Sequence, residues 1–290
     1  MSRALISLSM SIVAGAACGK SSSTSVAPSN TPEPAAAHAE PPAAIDPGLQ
    51  TILASSPTRT DAERARDGAR HPGETLTFFG LKPDLHVIEL WPGGGWYTAI
   101  LAPYLRDNGL LTVTMFDPDG DPKSEDTKDA IAMIKRLASS PDFAKVQREQ
   151  IAPPAFTLGP DNSADLVLTF RNVHNWIPAH TAADIFKSVA HVLKKGGVFG
   201  VVDHRANKDQ TDKEIDDTGY VSEAQVIALA KAAGLVLDAR SEINANPRDT
   251  KDHPHGVWSL PPTFQGKDVD HDKFAAIGES DRLTLRFRKP

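Results

Sequence analysis

The sequence predicts an α/β protein built on a doubly wound, seven-stranded sheet that is mostly parallel and has an antiparallel last strand. Short apolar segments alternate with segments of helical length, and this alternation is typical of parallel strands joined by right-handed helical crossovers. The first strand, residues 85–90, leads directly into a turn of three glycines and then a helix, which is the opening unit of such sheets. A long polar segment with no clear helix separates the last two strands, which predicts an antiparallel closing strand.

The first 48 residues are expected to lie outside this domain. Residues 1–18 contain Arg3, an apolar run and then small residues, the pattern of an export signal. The run Gly-Ala-Ala-Cys-Gly around Cys18 resembles a bacterial lipoprotein cleavage box, so Cys18 is the expected lipid anchor of an envelope lipoprotein. A released periplasmic protein and a cytoplasmic protein are the alternatives. Residues 19–48, rich in Ser, Ala and Pro, are predicted to form a disordered tether.

The folded domain is predicted to span residues 49–290. Its first part, residues 49–80, is expected to be helical, with Thr60 as an N-cap. This part either covers the cleft above the sheet or pads the sheet. The strands are predicted at residues 85–90, 110–116, 146–151, 164–170, 198–202, 235–243 and 283–287. The helices after the first strand are predicted at residues 97–105, 126–139, 182–193 and 222–233.

Two of these elements have clear sequence signals. Ala164–Phe170 is a near-continuous apolar run, as in strands buried on both faces of a parallel sheet. The helix at 182–193 is expected to carry Lys194 and Lys195 in its last turn and to stop at Gly196 and Gly197.

The glycine turn is a candidate cofactor site because glycines let backbone N–H groups approach a ligand closely. A dinucleotide fingerprint, G-x-G-x-x-G, is matched by Gly93 and Gly95, but Thr98 occupies its third position. The S-adenosylmethionine (SAM) loop, an acid followed by G-x-G-x-G, is matched by Glu89, Gly93 and Gly95, with Trp91 in place of the first glycine. A glycine turn without a ligand is the third possibility.

Asp117 closes the second strand, about twenty residues beyond the turn, where an acid can accept both ribose hydroxyls of an adenosine. Its alternative role is to start a turn before Pro118. The predicted cofactor-binding residues are therefore Glu89, Gly93, Gly94, Gly95 and Asp117.

A second group of polar residues follows strands 4 and 5. His174, Asn175 and Trp176 come after the fourth strand, and Asp203 and His204 end the fifth. Because the carboxyl ends of parallel strands meet at one edge, these residues are expected to face the same cleft. Asn175, Trp176, Asp203 and His204 are the predicted substrate contacts.

The chain resembles class I SAM-dependent methyltransferases. In the O-methyltransferases among them, strand 4 ends in His-Asp-Trp and a Lys-Pro-Gly-Gly turn follows, and His174-Asn175-Trp176 with Lys195-Gly196-Gly197 stand in these places. The resemblance implies that His174 is the general base, since imidazole titrates near neutrality. A loop histidine that packs on Trp176 is the alternative.

Within that family the chain is most similar to a group of bacterial enzymes predicted from sequence and often exported. The shared features are Pro-Gly-Gly-Gly-Trp-Tyr-Thr, Asp203-His204, Asn246-Pro247-Arg248-Asp249 and the closing Ser280-Asp281-Arg282-Leu283. The resemblance implies SAM as cofactor and methyl transfer to a small-molecule nucleophile, oxygen being favoured, but it names no acceptor. A non-catalytic envelope protein that binds a nucleotide-like ligand is the alternative, and an NAD-dependent oxidoreductase is a third.

Composition excludes one class of partner. The net charge of −6 leaves no electrostatic footprint for nucleic acid. Two histidines and an acid, His174, His204 and Asp203, are residue types that ligate zinc, but no metal is predicted. His253 and Asp249 are expected to lie in a solvated loop.

Overall fold

The computed structural model describes residues 44–290; the predicted leader, Cys18 and the tether up to residue 43 lie outside the described residues. Asp46 caps the first helix by accepting hydrogen bonds from the backbone N–H groups of Gly48 and Leu49. The folded part therefore begins slightly before the predicted boundary at Leu49, because the last three residues of the predicted tether cap and start this helix. Within residues 44–290, every helix is too short or too polar to span a bilayer.

Seven strands and eleven α-helices make up the described part of the chain. The strands are β1 (His86–Leu90), β2 (Leu110–Met115), β3 (Gln147–Gln150), β4 (Ala164–Phe170), β5 (Leu193–His204), β6 (Val236–Ser241) and β7 (Arg282–Arg288). The helices are α1 (Pro47–Ser55), α2 (Asp61–Arg64), α3 (Asp67–Arg70), α4 (Pro72–Phe78), α5 (Thr98–Leu105), α6 (Glu125–Leu137), α7 (Val173–Trp176), α8 (Ala182–Val192), α9 (Asp212–Thr218), α10 (Glu223–Ala232) and α11 (His271–Ile277).

The strands form one sheet in the order β3-β2-β1-β4-β5-β7-β6. Strand β7 is antiparallel to both of its neighbours, and all other pairs are parallel. The predicted fold class is thereby confirmed, including the antiparallel last strand. The strand order reverses between β1 and β4, and ligands in open sheets of this kind bind in the crevice outside the carboxyl ends at that point.

Apolar cores lie on both faces of the sheet. One contains Ile88, Phe186 and Phe199, and the other contains Val87 and Ile100. Each of these side chains is fully buried, and this burial on both faces explains why the central strands read as continuous apolar runs.

The predicted stop of the helix before β5 is wrong in detail. Helix α8 ends at Val192, and Leu193 already has extended backbone and pairs with Ala164 of β4. Gly196 and Gly197 therefore belong to the irregular start of β5, where the register with β4 shifts. Burial of Leu193 against the core decides the strand conformation against the local helix-stop signal.

The polar segment between β6 and β7 contains a short 3-10 helix, Gly256–Ser259, and one α-helix, α11, which the sequence did not indicate. Its N-cap, Asp270, has left-handed backbone (φ 54°) and makes no side-chain capping hydrogen bond. By contrast, the capping box of α2, in which the Thr60 side chain accepts from the backbone N–H of Glu63, confirms the predicted N-cap. A capping box is readable in sequence, although α5, α6 and α8, which were also predicted, begin without any side-chain capping hydrogen bond.

Candidate active site

The turn after β1 has an open side and a packed side. Gly93 and Gly95 have positive φ (53° and 75°), which glycine adopts without steric cost. A β-carbon on Gly94 would meet nothing within 4 Å, and one on Gly93 would approach only the Asp129 carboxylate, at 4.0 Å. A β-carbon on Gly95 would lie 2.7 Å from the Arg136 side chain. Space for a ligand therefore exists above Gly93 and Gly94.

Glu89 lies beneath this turn. Its side chain is fully buried, and it accepts a 2.6 Å hydrogen bond from the Thr98 hydroxyl at the start of α5. Burial raises the pKa of Glu89 to about 7, although the Thr98 hydrogen bond and the Arg136 charge oppose that rise. Glu89 was predicted to contact the cofactor, and the structure places it where it ties β1 to α5.

Asp117 is not brought to the cleft. Its side chain is exposed, and its Oδ1 accepts a 3.0 Å hydrogen bond from the Asp119 backbone N–H. This hydrogen bond is the one expected of the turn-forming alternative, in which the Asp side chain accepts from the backbone N–H two residues on.

Asp126 and Asp129, both on α6, lie at the cleft instead. Burial raises the pKa of each. Because they are three residues apart, they lie on one face of the helix. This spacing is visible in the sequence, but it is equally typical of a solvent-exposed helix face.

Two hollows meet above the glycine turn, and both are walled by Trp91, Pro92 and Gly93. The first, of about 290 Å³, lies between the turn, the end of β2 and α6. The second, of about 710 Å³, lies between the turn, the end of β4 and the helices α2 and α3. Helices α2 and α3 therefore line the cleft, whereas α1 and α4 pack into the core through Leu49 and Leu76, so the N-terminal helices have both of the roles expected for them.

Trp91 belongs to an aromatic cluster that adjoins the first hollow. Its ring lies 4.9 Å from Trp176, 5.6 Å from Phe116 and 6.0 Å from Phe156, measured between ring centroids. Trp176, a predicted substrate contact, is a buried member of this cluster. Trp91 has positive φ (44°) and occupies the position of the first glycine in the SAM loop pattern G-x-G-x-G. Packing of its ring therefore offsets the backbone strain that a side chain causes there.

Asp203 holds His174 in place at the end of β4. The His174 Nδ1–H donates to Asp203 Oδ1 across 2.8 Å, and the His174 backbone N–H donates to Oδ2 across 3.1 Å. Asp203 also accepts from the His204 backbone N–H, at 2.7 Å, and is fully buried. Its carboxylate, a predicted substrate contact, thus bonds to three N–H groups of the protein and supports His174.

His204 lies beside His174, with ring centroids 5.1 Å apart, and its Nδ1 is hydrogen-bonded to the Ser280 hydroxyl. Burial lowers the pKa of His204 well below its ordinary value, and the neighbouring His174 and Arg282 lower it further. His204 is therefore neutral near pH 7.

The same three side chains have the spacing of a metal site. Ligand atoms of His174, Asp203 and His204 lie within 4.8 Å of one another. The positive charges of Arg282 and Arg171 act on this position, since both depress the pKa of His204, and such a potential opposes a divalent cation.

Asn175 and Asn172 lie in different surroundings after β4. Asn175, a predicted substrate contact, is exposed on the outer side of α7. Asn172 lines the second hollow, and its side-chain amide donates to the backbone carbonyls of Leu90 (3.0 Å) and Trp91 (3.3 Å). Asn172 thus fastens the glycine turn to the end of β4, a role with no local sequence signal.

The predicted solvated loop around His253 is wrong for that residue. His253 is buried, and its Nε2 is 2.9 Å from Asp249 Oδ1. Asp249 also accepts from the Tyr220 hydroxyl (2.9 Å) and from the Asp281 backbone N–H (2.8 Å). This buried network fixes the approach to β7.

Comparison with known proteins identifies the fold. No protein-family model and no curated protein matches the sequence. A SAM-dependent methyltransferase from Aquifex aeolicus is 16% identical, with a TM-score of 0.50 over 78% of this chain and 93% of that one. The 4+2 cyclase SpnF is 19% identical, with a TM-score of 0.52 over 83% of this chain and 92% of that one. The chain therefore has the class I methyltransferase fold, on which more than one activity occurs.

Proposed function

We propose that the protein binds SAM over the glycine turn and transfers its methyl group to a hydroxyl group of a small molecule, with His174 as general base. The observation that carries this proposal is the pair of hydrogen bonds that orient His174 on Asp203. An imidazole held in this way has a fixed orientation, which proton abstraction from a hydroxyl group requires.

The residues around the turn fit the cofactor. The open face over Gly93 and Gly94 admits a ligand against the backbone, and Asp126 and Asp129 offer carboxylates for ribose hydroxyls in the adjoining hollow. Met133 and the other apolar side chains of that hollow would contact the adenine ring of SAM. When bound, SAM supplies an electrophilic methyl group on a sulfonium centre.

The chain's own residues would supply position and a proton acceptor. With Nδ1–H donated to Asp203, His174 keeps Nε2 as its acceptor atom, and within residues 44–290 no group is hydrogen-bonded to that nitrogen. Nε2 takes the acceptor's hydroxyl proton, and the Asp203 carboxylate stabilises the imidazolium that forms. Most of the rate enhancement comes from holding the two reactants aligned.

A non-catalytic protein that binds a nucleotide-like ligand is the second candidate. Two observations favour it: Asp117 faces solvent, and the Trp91 ring occupies space beside the turn. Binding without any transfer to hydroxyl acceptors would support this candidate over the enzyme.

Calorimetry on the full chain tests the cofactor site. We expect SAM and S-adenosylhomocysteine to bind, and we expect Asp129→Asn to weaken both by about tenfold, as for the loss of one charge-assisted hydrogen bond. Asp117→Asn is the matched control and should bind both as tightly as the wild type. Absence of binding by the wild type, or a loss only in Asp117→Asn, would overturn the assignment.

We also propose that the protein is exported and anchored through Cys18. Arg3, the apolar run and the small residues before Cys18 support this proposal. Mass spectrometry of the mature N-terminus tests it: a lipid-modified Cys18 is expected, whereas an N-terminus at Met1 or Ser2 would contradict export. An exported enzyme would need a supply of SAM outside the cytoplasm.

A further inference from the structure

The second hollow carries an excess of positive charge. Arg66, Arg70 and Arg171, the arginine cluster, line its wall, and Arg282 lies close to them. Glu279 forms ion pairs with Arg66, Arg70 and Arg282. Burial alone would raise the pKa of Glu279, but these arginines outweigh it and hold that pKa at about 2. One carboxylate therefore balances four guanidinium groups.

Several donors of these arginines have no acceptor. Glu63, another acid on the wall of the hollow, pairs with Arg136 at 2.8 Å and is not free to serve them. Arg70 is only 3% exposed. Buried N–H groups of charged side chains are costly to leave unpaired. Within residues 44–290, the buried nitrogens without a hydrogen-bond partner include Arg66 Nη2, Arg70 Nη2 and Arg282 Nε.

Arg171 makes the imbalance larger. Within the described residues its guanidinium forms no ion pair, and its backbone has positive φ (65°). Burial lowers the pKa of Arg171 to about 9, and the charges of Arg70 and Arg282 lower it further. A charge held in this position against repulsion reduces stability, which indicates that its purpose is to bind an anion.

The arginine cluster also adjoins the histidines. Arg282, which shares Glu279 with Arg70, lies opposite His204 in the β5–β7 pairing, and His204 lies beside His174. An anionic group seated among the arginines would therefore hold the rest of its molecule close to the proposed base.

We propose that the arginine cluster binds a carboxylate or phosphate group of the methyl acceptor. The identification of the bound molecule as the methyl acceptor rests on the proposed function, whereas the presence of an anion-binding site does not. The cofactor's own carboxylate is the other source of the same chemistry, and competition between ligands distinguishes the two.

The test is calorimetric titration of the full chain with inorganic phosphate, with and without saturating S-adenosylhomocysteine, at constant ionic strength. We expect saturable phosphate binding in both conditions and a weakening of roughly tenfold or more in Arg171→Gln. Arg240→Gln removes a half-exposed arginine of β6 and should bind phosphate like the wild type. Phosphate binding that S-adenosylhomocysteine abolishes would overturn the acceptor assignment in favour of the cofactor carboxylate.

Thermal unfolding separates binding from a structural role. Without phosphate, Arg171→Gln should unfold at the wild-type Tm or above it, because the substitution relieves repulsion. A lower Tm with unchanged phosphate binding, or no saturable phosphate binding by the wild type, would overturn the anion site. If S-adenosylhomocysteine fails to bind while phosphate binds, the cofactor proposal fails and the anion site stands.

Discussion

The imidazole of His174 and the carboxylate of Asp203 are joined by a 2.8 Å hydrogen bond, and the same carboxylate accepts the His174 backbone N–H. The two bonds fix both the ring and the backbone of His174, which is the second residue of the short helix α7. Strands β4 and β5 are adjacent and parallel, so their carboxyl ends bring together residues 29 positions apart in the chain. This relationship gives the first prediction.

Asp203→Asn should change the ring tautomer of His174. An asparagine NH2 group in the place of Oδ1 would donate to Nδ1, so Nδ1 would lose its proton to Nε2, and the His204 backbone N–H, which bonds to the same oxygen in the wild type, would lose its acceptor. Ring nitrogen NMR shifts of the wild type and the variant measure this directly.

The same substitution should lower kcat for any hydroxyl acceptor that the wild type methylates. We expect a loss of about 10²- to 10⁴-fold in Asp203→Asn and in His174→Asn. Asn175→Ala, on the exposed side of the same helix, is the control and should keep full activity. Equal activity in all four proteins would exclude His174 as the base.

His204 should make the folded state less stable in acid. Its pKa is lowered by burial and by nearby positive charge, so below about pH 6.5 the unfolded chain binds a proton that the folded chain does not. The free energy of unfolding therefore falls as pH falls through that range. In His204→Gln this part of the slope should disappear when urea unfolding is measured from pH 5 to pH 8; an unchanged slope would contradict the prediction.

Glu89 should change the free energy of unfolding in the opposite direction to His204, making the folded state less stable as pH rises. Its folded pKa of about 7 lies above the ordinary 4.5, so between these values the folded state binds more protons and stability falls as pH rises. The difference corresponds to about 3 kcal/mol at full ionisation. Glu89→Gln should remove this loss, whereas Glu125→Gln, whose side chain is 85% exposed, should leave it in place. If the His204→Gln protein, with Glu89 intact, shows no fall in stability between pH 4.5 and pH 7, the prediction is wrong.

Trp91 should reveal the backbone strain at the first position of the turn. Trp91→Ala and Trp91→Gly both lose the contacts with Trp176 and Phe116, at a cost of about 3 to 5 kcal/mol. Only glycine relieves the positive φ, so the glycine variant should be about 1 kcal/mol more stable than the alanine variant. Urea unfolding of both variants measures the difference, and equal stability would show that the residue is unstrained.

The fold was predictable because its signals are local and repeated. Each central strand is an apolar run whose burial on both faces leaves little ambiguity, as Ala164–Phe170 illustrates. The glycine turn and the capped helices were equally clear. The start of β5 was not predictable, because Leu193 continues as a strand only through its pairing with Ala164, a contact between distant parts of the chain.

The candidate site was only partly predictable. The strand-end rule correctly indicated that His174 and Asp203 would meet. It could not indicate which of these residues hydrogen-bond to other parts of the protein, as Glu89 does to Thr98 and Asp203 does to His174. Asp117 forms the turn hydrogen bond that its local sequence, Asp-Pro, favours. The arginine cluster could not be predicted, because only tertiary packing brings α3 and the end of β4 together.

The position of β7 between β5 and β6 determines when this protein becomes complete during synthesis. A nascent chain that has been made only as far as Ser241 carries β6 with no neighbour to pair with. It also lacks Ser280 beside His204 and Glu279 among the arginines. Premature termination before Arg282 should therefore give an open-edged, aggregation-prone species that depends on chaperones, and not a partly active enzyme.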